Sequence, residues 1–489
     1  MSGSSPSLGT RTLRGMFWAY GSFAGVRLAS FLTTAVLARV LAPRDFGVIA
    51  LAMTFMAFLD MLQGLGVGQA LVVADAAQVA EEADSAFALS AGMGAVLCLL
   101  AVALGPVAAA TFHEHRLVFI LPALGLTFLL YGLGSTHYAL AMREIDFRSR
   151  TVAEIADAVT RGVIGVGLAF AGAGVWSLVA GYVAGSLAMT VALWRLVNWR
   201  PRCSLRRAHV RRLLRFGGAL TGVAIMGALL AQFDNAVVGR VLGTTELGFY
   251  SVANRLPYLF IISLASATGQ VLYPAFASLA REDLGRGFLT ALRYTAMVAF
   301  PLAAGLIVLA RPITLVVFGA HWGPAVAATQ VLCLWALMSP VSMVCGNAFK
   351  ARGRAGLLLA LAVPQAAALI VGSLVLVHQG IVAVAWVQAS IAIVAQALTL
   401  SLACRMIAVP LRRALAAMAG PALACAGLAG VLVGVTHVLS NPWLAVLAGA
   451  GVGGVAYLAL LRVLARDLLD RLGAMLRPGP PPARHGAAA

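Results

Sequence analysis

The sequence predicts an all-α integral membrane protein of about fourteen spanning helices, and three observations carry that prediction. Of the 489 residues, 61% are hydrophobic and only 11% are charged, where a soluble chain is typically about a quarter charged. The mean hydropathy is +0.95, and the apolar residues recur along the whole chain in stretches of membrane-spanning length rather than in one anchored block. Most of the 35 Lys and Arg residues gather in alternate connections between those stretches, the asymmetry that orients membrane helices. Each stretch is too long for a barrel strand and lacks two-residue alternation, so helix is the conformation that satisfies its backbone in lipid.

In order, the spans are expected at about 16–40, 47–73, 85–110, 117–141, 151–171, 173–195, 214–240, 247–277, 287–310, 325–349, 355–377, 380–404, 413–437 and 443–464. The first follows Arg11 and Arg14, as a signal peptide would. It contains Arg27, continues to about Val40 and has no convincing small-residue cleavage site, so it is expected to be retained. With the N-terminus inside, basic residues fill the cytoplasmic connections: Arg143, Arg148 and Arg150, then the arginine-rich 195–215 stretch. Further along come Arg281, Arg286 and Arg293, Lys350, Arg352 and Arg354, and Arg405, Arg412 and Arg413. The opposite side receives only Arg39, Arg44, Arg116, Arg240 and Arg311. This split places both termini in the cytoplasm and the chain in the inner (cytoplasmic) membrane. The acidic loop with Asp75, Glu81, Glu82 and Asp84 is the exception, and acidic residues weigh little in this rule. The net charge of +18 is therefore mainly a topology signal, with anionic lipid headgroups as a second partner for the 195–215 stretch. No aromatic-interleaved basic groove points to nucleic acid.

Several functions are excluded by what the connections lack. The loops on the outer side are short, the longest at about 311–324, leaving no room for an external catalytic domain. No G-x-x-x-x-G-K-[ST] phosphate loop is present. Cys98, Cys203, Cys333, Cys345, Cys404 and Cys425 follow neither a metal spacing nor a disulfide framework. His113-Glu114-His115 offers three ligand types in a row, but adjacent side chains seldom converge on one ion, and the expectation is a solvated loop. No cofactor, metal or catalytic residue is expected.

An internal repeat organises the chain. RVLAPRDFGVIALA (39–52) matches RVLGTTELGFYSVA (240–253) at an ungapped offset of 201, pairing Arg39 with Arg240 and Gly47 with Gly248. The register persists through Gly68-Gln69 and Gly269-Gln270 to Phe87 and Phe288. Six spans lie in one repeat unit, an even number, so both copies have the same orientation and are related by a pseudo-two-fold axis along the membrane normal. The expected organisation is a cytoplasmic tail (1–15), a six-helix bundle (16–196), a basic linker (197–213), a second six-helix bundle (214–404), two further helices (413–464), and a cytoplasmic tail (465–489) with a disordered Pro/Gly/Ala-rich end.

Ionisable groups in a bilayer core are functional candidates. Arg27 and Asp60 lie near mid-depth of the first two spans, Asp234 and Arg255 in the seventh and eighth. Each half thus contributes one Arg and one Asp from its first helix pair. Arg27 and Arg255 would attract an anionic group such as a phosphate, whose oxygens match the guanidinium fork. Asp60 and Asp234 would serve as counter-ions or carry protons or cations. The alternative is a set of fixed Arg–Asp pairs that hold helices together. Arg161 is a lesser cavity candidate, because Asp157 four residues earlier can neutralise it and Glu154 sits on the same helix. Gln63, Asn235 and Asn254 could line a cavity or hydrogen-bond between helices. His137 is a weak protonation candidate.

The stretches QFDNAVVGRVLGTTELGFYSVANRLPYL (232–259), LARVLAPRDFGVIALAMTFMAFLDMLQGLGVGQALV (37–72) and FGAHWGPA (318–325) resemble signatures of the Wzx-type polysaccharide flippases. These belong to the polysaccharide transporter branch of the multidrug/oligosaccharidyl-lipid/polysaccharide exporter superfamily. The resemblance spans the chain in length, repeat and helix count. It implies two six-helix bundles around a V-shaped cavity, alternating access, and a substrate of oligosaccharide joined to undecaprenyl pyrophosphate, moved to the periplasmic face for O-antigen, capsule or exopolysaccharide synthesis. It also implies cationic cavity residues near the pyrophosphate, which fits Arg27 and Arg255 by position, an H+ or Na+ gradient as driving force, and a place beside polysaccharide polymerase machinery. The rivals are a cation-coupled multidrug exporter, which should favour acids over these arginines, a lipid II flippase, and a membrane polymerase or ligase, which needs the external loop this chain lacks.

Overall fold

The computed structural model describes residues 25–63, 71, 79–144, 146–202, 227, 231–280, 282–354 and 356–465. The expected N-terminal tail, the linker from residue 203 with Cys203, the first part of the seventh span and the C-terminal tail lie outside the described residues.

Among the described residues there is no strand. The helices are α1 (25–40), α2 (Pro43–Gln63), α3 (Val79–Phe112), α4 (Leu117–Arg143), α5 (Phe147–Phe170) and α6 (Val175–Leu196). They continue with α7 (231–241), α8 (Thr244–Ser278), α9 (Leu284–Val308), α10 (Ala325–Ala351), α11 (Gly356–Leu376), α12 (Ile381–Ile407), α13 (Leu411–Val438) and α14 (Pro442–Leu464), besides a short helix at Ala310–Val317. Eleven of these are long and apolar enough to cross a membrane. The other three numbered helices have identifiable reasons for standing apart: α1 and α7 are described only in part, and α5, 24 residues long, carries Glu154, Asp157 and Arg161 in its middle. At about 1.5 Å per residue α5 still reaches about 36 Å, enough to span.

Small residues set the helix spacing, as expected where lipid tails remove the hydrophobic drive for helix association. A Cβ on Gly94 would lie 2.5 Å from the Phe128 carbonyl oxygen and one on Gly132 2.5 Å from that of Ser90, so α3 and α4 touch backbone to backbone. Gly181 and Gly185 of α6 lie in the same way against the Arg161 and Asp157 carbonyls of α5. The chain divides into two compact units. One comprises 1–259, 317–332 and 356–395, the other 260–316, 333–355 and 396–489. In the second, Tyr457 of α14 donates to the Met297 carbonyl of α9 at 2.7 Å, over a core of Leu309, Leu428, Leu432 and Leu461.

Candidate functional site

The repeat becomes a physical contact in the first unit. A Cβ on Gly47 would stand 1.6 Å from the Thr244 carbonyl oxygen, and one on Gly248 1.9 Å from the Pro43 carbonyl oxygen. Gly47 and Gly248 are 201 residues apart, and so are Pro43 and Thr244. The contact is therefore reciprocal, as a two-fold relation between the copies requires. The N-terminal ends of α2 and α8 cross here with no side chain between them. Arg39 and Arg240, the arginines preceding the crossing, repeat the relation. Arg39 Nε donates to the Val317 carbonyl at 3.1 Å, and Arg240 lies 3.4 Å from the His113 ring nitrogen.

The FGAHWGPA segment locks onto the same crossing. Trp322 is fully buried. Its indole N–H donates to the Ala38 carbonyl at the end of α1, at 2.7 Å. Its ring stands edge-on to Phe46 of α2 and Phe249 of α8, with centroids 5.3 and 5.8 Å away, the arrangement aromatic quadrupoles favour. One side chain thus ties the ends of three helices. Nearby, Glu114 is buried and paired with Arg44 at 2.9 Å and Arg116 at 3.8 Å, while Arg116 also reaches Asp45 at 3.3 Å. The expectation of a solvated His113-Glu114-His115 loop is corrected at Glu114: two arginines near the start of α2 and α4 make burial of its charge tolerable.

Below the crossing α8 is interrupted. Pro257 has no N–H to donate to Ala253. The helix breaks at Asn254 and resumes through a π-helical stretch, Tyr258–Ile262, an irregularity that recurs at functional sites. The break turns Arg255 and Tyr258 to an open face and leaves the Asn254 Oδ1 buried and unpartnered among the described residues. Arg27 of α1 arrives at the same place, with its guanidinium carbon 5.8 Å from the centre of the Tyr258 ring. Arg27 is thus brought beside Tyr258, three residues beyond Arg255 on α8. No acid is paired with Arg255 among the described residues.

The acids occupy different surroundings. Asp234 of α7 is 1% exposed. The Tyr250 hydroxyl donates to its Oδ2 at 2.7 Å, and the Gln388 side-chain amide of α12 lies 3.1 Å from that hydroxyl. The Asn235 backbone N–H donates to Oδ1 at 2.8 Å. No Arg or Lys neutralises Asp234 among the described residues. Keeping a charge on a carboxylate so enclosed is costly. Asp60 is exposed in the last turn of α2, with the Tyr131 phenol of α4 in electrostatic range. Gln63 donates to the Phe128 carbonyl of α4 at 2.8 Å and so joins α2 to α4, whereas Asn235 donates to Gln232 within α7 at 3.0 Å. Arg161 donates to both Asp157 carboxylate oxygens at 2.8 Å. His137 is fully buried and stacked on Trp194 at 4.8 Å. Tyr250, Gln388 and Trp322 escape sequence reasoning, although the two glycines around the Trp322 turn could have flagged it. An apolar cavity of about 590 Å³ in the second unit, lined by Leu264, Leu272, Phe276 and Tyr294 among others, contains none of the expected site residues.

Residues 36–327 match the polysaccharide biosynthesis protein family, more than half of the chain. Among curated relatives, the chain is 29% identical over 345 residues to the succinoglycan biosynthesis transport protein ExoT of Rhizobium meliloti (strain 1021), covering 70% of this chain and 69% of the relative. It is 24% identical to the lipopolysaccharide biosynthesis protein WzxC of Escherichia coli (strain K12), covering 71% of each. It is 23% identical to the teichuronic acid biosynthesis protein TuaB of Bacillus subtilis (strain 168), covering 80% and 81%. Among solved structures, the lipid II flippase MurJ in an inward closed conformation superposes with a TM-score of 0.78 at 15% identity, covering 93% of this chain and 100% of that one. An inward-facing multidrug resistance MATE family transporter of the MOP superfamily gives 0.67 at 18%, covering 79% and 98%. At such identities these two likenesses establish the fold.

Proposed function

The chain belongs to the polysaccharide biosynthesis protein family, and from that premise we propose that it is a flippase. It carries undecaprenyl-pyrophosphate-linked oligosaccharide repeat units from the cytoplasmic to the periplasmic face of the inner membrane, by alternating access, for cell-surface polysaccharide synthesis. The observation that carries the reading is Arg27 of α1 reaching Tyr258 of α8, three residues from Arg255, at the break in α8. Two guanidinium groups on different helices suit a diphosphate, and neither suits a cationic drug. The reading takes both termini as cytoplasmic, on the arginine distribution. The crossing of α2 and α8 then closes the outer end. It takes residues 16–196 and 214–404 as the two bundles, on the 201-residue repeat. The protein is a transporter without covalent chemistry of its own, and it works beside a polysaccharide polymerase.

The test is the fate of lipid-linked sugars in a strain lacking the gene. A complete repeat unit should accumulate on the cytoplasmic face, surface polymer should disappear, and the wild-type gene should restore both. An unchanged lipid-linked pool would point to another cargo. Accumulation of lipid II would select the cell-wall reading instead.

Asp234 is the proposed coupling group, since its enclosure by Tyr250 and Gln388 leaves it one small cation or one proton as companion. Asp234→Asn keeps the shape and the Tyr250 hydrogen bond but can hold neither an added proton nor a cation as a carboxylate does. Transport into inside-out vesicles driven by a proton or sodium gradient should fall at least tenfold, and the residual rate should no longer respond to the gradient. An intact response would return Asp234 to a structural role and leave Asp60 as the acid to test.

A further inference from the structure

Helix α5 has an exposed face and a partly open face of opposite chemistry. Val152, Ile155, Val159, Val163 and Phe170 recur at helical spacing, and all are exposed. This is the face a bilayer covers. On the opposite side of the same helix, Arg150, Glu154, Asp157 and Arg161 follow at intervals of four, three and four residues. Each keeps between 20% and 33% of its side chain accessible. Charged groups left partly open within a spanning helix favour water over acyl chains, so a hydrated space suits this face.

This face is not an anion site. Arg161 holds Asp157 through two 2.8 Å hydrogen bonds, and its guanidinium lies 4.4 Å over the Tyr182 ring. Arg150 donates to the Tyr138 hydroxyl at 2.7 Å, which donates to Glu154 at 2.9 Å. The stripe reads cation, acid, acid, cation, with a tyrosine near either end and no net charge. A diphosphate would meet two carboxylates here. A chain of hydroxyl groups meets the reverse: carboxylates that accept from hydroxyls and guanidinium N–H groups that donate to their oxygens. Tyrosine rings offer the flat apolar surface on which the C–H face of a sugar packs. From Arg150 to Arg161 the stripe runs about 16 Å, longer than any single sugar ring.

We propose that this face of α5 is a glycan track, along which the oligosaccharide lies while its diphosphate is held at Arg27 and Arg255. The proposal rests on the flippase reading for its substrate class and adds where the sugars are recognised. The test uses the full chain in lipid nanodiscs and two probes: undecaprenyl pyrophosphate without sugar, and the lipid-linked oligosaccharide extracted from the deletion strain. The wild-type protein should bind the sugar-bearing lipid at least tenfold more tightly. The E154Q/D157N double variant should lose that preference and keep its affinity for the bare lipid. Y182L, which alters no charge, should lose at least threefold of the preference, and it decides the matter if the double variant does not reach the membrane. A preference that survives the substitutions would overturn the track, as would a parallel loss for both probes, which marks a packing role. Equal wild-type binding of the two probes would overturn the track and leave the flippase reading standing. Binding of neither would remove both.

Discussion

Export is expected to collapse when Arg27 and Arg255 are both replaced by alanine, with membrane insertion unchanged. A hydrogen bond to a charged group contributes about 1.5–3 kcal/mol, so losing both guanidinium groups costs the bound diphosphate about 3–6 kcal/mol. That is a fall in affinity of about a hundredfold to ten-thousandfold. Each single variant should fall by about ten- to a hundredfold, and Arg→Lys should recover only part of it, because an ammonium keeps the charge but not the planar fork. Arg27 sits 5.8 Å above the Tyr258 ring and Arg255 at the exposed break in α8, so neither truncation opens a packed core. Surface polymer and membrane abundance of the protein, measured together, separate lost transport from lost protein. Full export by the double variant at normal abundance would end the diphosphate site.

How much of this was legible in the sequence depends on the distance over which each signal acts. Helix positions were readable because each is a local apolar run, and the pairing of Gly47 with Gly248 because a repeat register is visible without structure. Arg27 and Arg255 could be named since intramembrane charge is rare. The partners of those groups could not be named. Tyr250 and Gln388 are 138 residues apart, and nothing local to either says that both enclose Asp234. Trp322 reads as an ordinary loop aromatic until its N–H is found on Ala38, 284 residues away. Glu114 was misjudged for the same reason: its own triplet looks solvated, and Arg44, which holds it, lies 70 residues earlier. The helix α5 charges were visible, but their opposition to the exposed valines matters only once the helix is known to lie against α6 with one side open.

The crossing of α2 and α8 supports the second large expectation. Gly47→Ala or Gly248→Ala should leave the protein folded, yet reduce export at least fivefold by holding the outer end open. A Cβ at 1.6 or 1.9 Å from a carbonyl oxygen cannot be accommodated by a side-chain rotation, because what it meets is backbone. The two helices must separate, and overpacking of this kind costs about 1–3 kcal/mol. The cost falls only on the state in which the helices touch. Alanine's higher helix propensity acts equally in both states, so the crossing alone sets the shift, about 1–3 kcal/mol toward the open outer end, roughly fivefold to a hundredfold in population. A cysteine replacing Asn254 in a cysteine-free background lies beneath the crossing. It should become accessible to a membrane-impermeant thiol reagent from outside in the alanine variants, and stay protected where both glycines are present. Lipid-linked oligosaccharide should accumulate on the cytoplasmic face in the same cells, since a carrier held open outward cannot load. Unchanged labelling and unchanged export would mean that α2 and α8 remain in contact through the whole cycle, and the gate would have to be sought elsewhere in the fold.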